Sequence, residues 1–197
     1  TGIPEAALPD CVLGVGAELK NTLCLTKNTD AFVSQHIGDM SNVETAAFHE
    51  EIREHLTSLL KVRPRLIVRD RHPDYLSSRM ADALAAQQGI AVRTLQHHFA
   101  HAHAVLAEYA FRGKAIVLAL DGTGLGEDDT LWGGEILYVD TSPALGRSPL
   151  PKRLGHLAPL DLPGGEAALR EPWRIAPSLL IRLGLLAPLP PALPWLP

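Results

Sequence analysis

The segment "LQHHFAHAHAVLAE" (95–108) places four histidines within seven residues of a stretch that is otherwise mostly Ala, Leu and Val. His97 and His101 are four apart. On a helix both imidazoles share one face and can reach a single cation. His98 and His103 point elsewhere. The spacing by itself also suits two ordinary surface histidines, so both readings stand. Asp121 closes the apolar run "KAIVLALD" and opens "DGTGLGEDD". It is expected at the carboxyl end of a parallel strand, where ligand clefts form in open α/β sheets. The alternative is an aspartate that caps its own turn. Two imidazoles and one carboxylate would leave a cation with open positions, as Lewis-acid catalysis requires. Iron and zinc suit such a set comparably.

Other polar groups gather at turns. Gly122, Gly124 and Gly126 allow the backbone to approach a phosphate or a small acyl group, or simply make a flexible loop. Glu18, Lys20 and Asn21 stand at the tip of a turn in "LGVGAELKNTLCLT" (13–26). Such a turn can aim side chains and N–H groups at a phosphate, and an ordinary hairpin is the alternative. "RHPDYLSSR" bunches His72, Asp74, Tyr75 and Arg79 at a helix start, where Asp74 also suits a cap. His36, His49, His55 and His156 read as solvated or half-buried side chains.

The elements that must position these groups follow from patterning. Two short strands over 13–26 and a third within 31–40 come first. Ser41 as cap, with Glu44 three residues on and apolar Val43, Ala47, Ile52, Leu56, Leu59 and Leu60, predicts an amphipathic helix. A strand at 65–70, an Ala-rich helix within 72–89, a strand at 90–96, the histidine helix and a strand at 114–120 follow. A last strand spans 129–140 with Gly133 and Gly134 inside it. The order β-β-β-α-β-α-β-α-β-β predicts an α/β fold, a mixed sheet with helices packed on it. By analogy it is the order of a ribonuclease-H-like half of an actin-type ATPase fold. After residue 140 the chain turns rich in Pro, Leu and Gly. A helix over about 166–183 is expected to be interrupted at Pro172 and Pro177. The Pro-rich end reads as a tail, or as a fold cut short. The organisation read from this is a lobe over 1–140 and an incomplete second part over 141–197.

Composition limits the function classes. The 197 residues carry a net charge of −4, and 46% are hydrophobic, enough for a real core. The acidic balance and the lack of a basic stripe argue against a nucleic-acid partner. No apolar run is long enough to span a membrane, and the N-terminus lacks a signal-peptide pattern. Cys11 and Cys24 are expected as buried, reduced thiols, which suits the cytoplasm.

Six segments in order, "GAELKNTLCL", "SQHIGDM", "HPDYLSSR", "QHHFAHAHAVLAE", "DGTGLGEDDTLWGGE" and "LPGGEAALREPWR", resemble the C-terminal Kae-like region of the HypF carbamoyltransferases. That family matures nickel–iron hydrogenases. The resemblance covers roughly 13–176. It implies that carbamoyl phosphate and ATP give carbamoyl-adenylate on a separate domain. It further implies that this region passes the carbamoyl group to the C-terminal cysteine of a HypE-like acceptor. It implies a divalent metal, iron or zinc, on His97, His101 and Asp121. It places Lys20, Glu18, Asn21, Gly122, Thr123, Gly124, Gly133 and Gly134 around the nucleotide and carbamoyl group. His98, beside the metal pair, is the base expected for the incoming thiol. Full-length members carry preceding domains and a further half of the Kae-like domain that are not read in this chain. The chain alone is therefore expected not to complete the reaction, and its uncovered apolar face is expected to favour self-association. Two other readings are an O-carbamoyltransferase acting on a small hydroxyl compound and a non-catalytic binding piece.

Overall fold

The computed structural model describes residues 11–142 and 149–186. The Pro-rich tail lies outside the described residues. Two compact units, 1–156 and 157–197, are described separately.

In the first unit, β1 (Val12–Gly14), β2 (Cys24–Lys27), β3 (Asp30–Val33), β4 (Leu66–Asp70) and β5 (Ala91–Leu95) form one sheet in the order β3-β2-β1-β4-β5. The first three strands pair antiparallel, and β4 pairs parallel with both β1 and β5. This is the mixed, ribonuclease-H-like arrangement expected from the element order. Helices α1 (Val43–Leu60) and α2 (Leu76–Gln88) supply the parallel crossovers. The core joins Leu13, Val15, Leu23, Leu25, Met40 and Ile67 to Phe48, Ile52, Leu56 and Leu60 of α1 and to Ala81 and Ala85 of α2.

Local details depart from the sequence reading. The cap of α1 is Asn42, not Ser41: its side chain accepts from the Thr45 N–H. Val43 and Leu59, expected on the core face, are exposed, while the polar His49 and Arg53 are buried. The third strand stops at Val33. The residues that follow stay tied to the first turn irregularly, through the Ser34 N–H to the Leu23 carbonyl at 2.8 Å and a bridge between Asn21 and Gly38. Cys11 is buried as expected, but Cys24 is half-buried.

Helix α3 (His97–Glu108) follows β5 and packs on a second sheet. That sheet holds β6 (Lys114–Ala119), β9 (Glu135–Asp140) and β10 (Lys152–His156) in the antiparallel order β10-β9-β6. The expected strand over 129–140 is broken at Gly133 and Gly134. Leu131–Trp132 (β8) pairs with Gly124–Leu125 (β7) as a small ribbon, and β9 starts beyond the break. Phe99 and Ala102 of α3 bury against Ala119, Trp132, Leu137 and Val139. Alternate residues of the same strands, Ile116, Leu118 and Ile136, face away and are exposed.

The second unit holds α4 (Glu166–Arg170), a 3-10 turn at Pro172–Arg174 and α5 (Ile175–Arg182). Pro172 opens the turn. Pro177 lies in the first turn of α5, where its missing N–H is not needed.

Candidate metal centre

Helix α3 starts where β5 ends. Its cap is Gln96, whose Oε1 accepts from the Phe99 N–H at 3.0 Å. His97 is thus the first helical residue, and one turn later His101 stands over it. Their Nε2 atoms lie 3.2 Å apart. Asp121, two residues beyond β6, brings Oδ2 to 3.2 Å from His97 Nε2. Ligating atoms of His97, His101 and Asp121 all lie within 4.8 Å of one another. The strand before Asp121 is not parallel, as expected, but pairs antiparallel with β9. Asp121 is carried by the turn that leaves this second sheet.

The donor set suits a divalent cation. Asp121 Oδ2 is a buried oxygen with no well-angled hydrogen bond, set beside two imidazole nitrogens. Two nitrogens and one carboxylate oxygen at this separation can share an ion at ordinary ligand distances of about 2.0–2.2 Å. Charge follows the same geometry. Contact with the Asp121 carboxylate and then with that of Asp70 pushes the His97 imidazolium up to about 9. His101 is pushed below its usual value by burial, then by the His97 charge. Asp121 is held down chiefly by its contact with His97.

Asp70 is the residue that sequence reasoning missed. It ends β4, and its Oδ2 lies 2.7 Å from His97 Nδ1. The strand-end signal applied to Asp121 would have found it, because β4 is the strand with parallel neighbours on both sides.

His98 does not suit the role of thiol base. Its side chain is fully buried. The Gln96 amide nitrogen sits 3.0 Å from Nδ1 and donates to it, because Gln96 Oε1 is taken by Phe99. That leaves the proton on Nε2, so the ring has no lone pair to offer a thiol. Burial also pushes it below the usual histidine range.

The glycines divide into two kinds. A Cβ on Gly124 would stand 2.8 Å from His97 Cβ and from His98 Cε1. One on Gly133 would stand 2.4 Å from the Gly122 carbonyl, and the Gly134 N–H donates to the Asp121 carbonyl at 3.0 Å. Gly124 thus seats the Asp121 turn on the start of α3, and Gly133 and Gly134 close against the backbone of that turn. Gly122 differs: it is exposed, and an added Cβ meets nothing within 4 Å. Thr123 beside it is half-buried.

In the first turn, Asn21 is buried and donates to the Val15 and Ala17 carbonyls at 2.9 and 2.6 Å. Glu18 accepts from the Leu76 N–H at 2.8 Å, at the start of α2. Both side chains therefore hold the fold together. Lys20 is exposed, in the left-handed region at φ 49°. Burial raises the Tyr75 phenol to about 12, helped by the Asp70, Glu18 and Asp121 carboxylates. Tyr75 also stacks on His72, centroids 4.3 Å apart.

A family model described as "HypF Kae1-like domain" matches residues 7–108. The chain belongs to the HypF family of Kae1-like domains. A second model, "Carbamoyltransferase, Kae1-like Domain, second subdomain", matches residues 117–194. The carbamoyltransferase HypF2 of Cupriavidus necator is 50% identical over 88% of the chain, and HypF of Rhizobium leguminosarum is 43% identical over 88%. The chain spans about a fifth of either relative, 21%. A crystal structure of full-length HypF in a phosphate- and nucleotide-bound form superposes with a TM-score of 0.79 at 34% identity. It covers 89% of the chain and 22% of that protein. HypF of T. kodakarensis superposes at 0.78 with 34% identity, over 92% of the chain and 23% of that protein.

Proposed function

We propose that this HypF-family chain forms the cation-binding part of a carbamoyl-transfer centre. Within a HypF enzyme it passes carbamoyl from carbamoyl-adenylate to the C-terminal cysteine of a HypE-like acceptor. The observation that carries the reading is the convergence of His97, His101 and Asp121 in a chain of this family. A divalent ion held there, iron or zinc, would supply Lewis-acid polarisation of the carbamoyl carbonyl.

The chain's own groups have the following parts. His97 and His101 present Nε2 from successive turns of α3, and Asp121 presents its carboxylate from the opposing turn. Gly122 leaves open space beside Asp121 for a small acyl group. Lys20 supplies positive charge for the adenylate phosphate. The acceptor sulfur attacks the carbamoyl carbon, the bond from that carbon to the phosphate oxygen breaks, and AMP leaves with the electron pair. The thiol proton goes to solvent, since His98 has no lone pair to receive it.

The test is a segment exchange. The corresponding region of the Cupriavidus HypF2 is replaced by this chain, and the product is incubated with carbamoyl phosphate, ATP and its HypE. Carbamoylated HypE is expected by mass spectrometry, and is expected to vanish with His97→Ala. An exchange that folds and still transfers carbamoyl with His97→Ala would contradict the reading. The purified chain alone, under the same conditions, is expected to give no carbamoylated thiol.

A further inference from the structure

The carboxylate of Asp70 is fixed from both sides. It ends β4, the strand that lies between β1 and β5. Its Oδ1 accepts the His72 N–H at 2.8 Å, and its Oδ2 faces His97 Nδ1 at 2.7 Å. Its backbone carbonyl accepts from the buried Ser78 hydroxyl at 3.3 Å. Asp70 is itself only 8% exposed. A carboxylate has no donor to offer, so the close nitrogen of His97 must carry the proton. When the ring gives up its second proton, it is Nε2 that gains the lone pair, facing His101 and Asp121.

We infer that Asp70 is the positioning residue of this site. It holds His97 in the Nδ1–H tautomer and in one ring orientation, so that Nε2 stands ready for a cation. The inference rests on the cation reading above. Such outer carboxylates typically change metal affinity about 10- to 100-fold. Asp70→Asn is the informative change, because its shape is the same. An amide has one oxygen for two donors. Either it keeps the His72 N–H and turns its NH2 toward Nδ1, which forces the His97 proton onto Nε2, or it abandons His72.

The experiment measures Zn²⁺ affinity by competition with a chelator. It compares the parent chain, Asp70→Asn, Asp70→Ala and the His97→Ala/His101→Ala double variant, each with its cation-free melting curve. The expected result is loss of binding in the double variant and affinity about 10- to 100-fold weaker in Asp70→Asn. Nitrogen-15 spectra of the cation-free parent at alkaline pH should show the neutral His97 ring protonated at Nδ1, a tautomer that no bound cation has imposed and that a merely structural role would not require. Equal affinity in folded Asp70→Asn would overturn the inference and leave the cation site standing. Equal affinity in the double variant, or none in the parent, would overturn the cation reading and the inference with it. If the Asp70 variants do not fold, the spectrum decides: a His97 Nδ1 without its proton overturns the inference.

Discussion

His97 stands between two carboxylates, and its proton competes with any cation. Asp121 and Asp70 hold the imidazolium up to about 9, whereas His101 is already neutral at pH 7 because burial lowers it. Binding at pH 7 must therefore displace one proton, from His97. Zn²⁺ affinity is expected to rise about tenfold per pH unit until about pH 9 and then level off. Calorimetry in buffers of different ionisation heat should count about one proton released at pH 7 and none well above 9; no release at pH 7 would contradict this. The stability term runs the other way. The folded value lies above the ordinary 6.5, so the contribution of charged His97 is whole below 6.5 and is lost as the pH rises through about 9. At this scale the sequence revealed His97 and His101, because four residues make about one helical turn. Asp70 stayed hidden, since its partner lies 27 residues on and no local period links them. His98, next to His97 in sequence, is turned about 100° around the helix and points under the Gly124 loop, a placement that sequence spacing alone does not show.

Between β6 and β9 the chain makes the turn that carries Asp121, and two clamps hold it. Arg71 donates to the Gly126 carbonyl at 3.0 Å and pairs with Asp129 at 2.8 Å. Arg153 reaches the fully buried Glu135 at 2.5 and 2.9 Å and lies 4.0 Å over the Trp132 ring. Glu135 also accepts the Gly133 N–H at 3.0 Å. Arg153→Ala strands that carboxylate without a counter-ion, and should destabilise the chain by about 3 kcal/mol. Denaturant unfolding would measure it, and a change below about 1 kcal/mol would count against the clamp. Gly124→Ala forces a methyl against both histidines and should cost about 1–3 kcal/mol and weaken cation binding. Gly122→Ala meets open space, so melting should stay unchanged while carbamoyl transfer in the exchanged enzyme falls. Equal behaviour of the two variants would refute the division between packed and open glycines. Most elements were legible from period and punctuation, including the start of α3. The ribbon of β7 and β8 was not, because its two-residue strands are too short to show any alternation.

As a whole, the first unit pairs a ribonuclease-H-like sheet with a second, antiparallel sheet through α3. The outer face of that second sheet carries Ile116, Leu118, Ile136 and Leu154 at 38–61% exposure. Clustered apolar side chains of this kind favour association. The isolated chain should show a concentration-dependent mass in analytical ultracentrifugation, reduced by Ile116→Glu with Leu118→Glu; a concentration-independent monomer would contradict it. Among the described residues, no helix is long and apolar enough to cross a membrane. The element order carried the first sheet, because three strands followed by alternating helices leave few topologies. It did not reveal that β6 begins a separate sheet, because an apolar strand reads the same in parallel and antiparallel company. Everything proposed for the site depends on one ion held by one face of α3 and Asp121. The most direct measurement is the metal content of the purified chain after exposure to iron or zinc and removal of excess, beside His97→Ala/His101→Ala. About one ion per chain in the parent and none in the folded double variant is the predicted result. No ion in the parent, or equal content in both, would contradict the account.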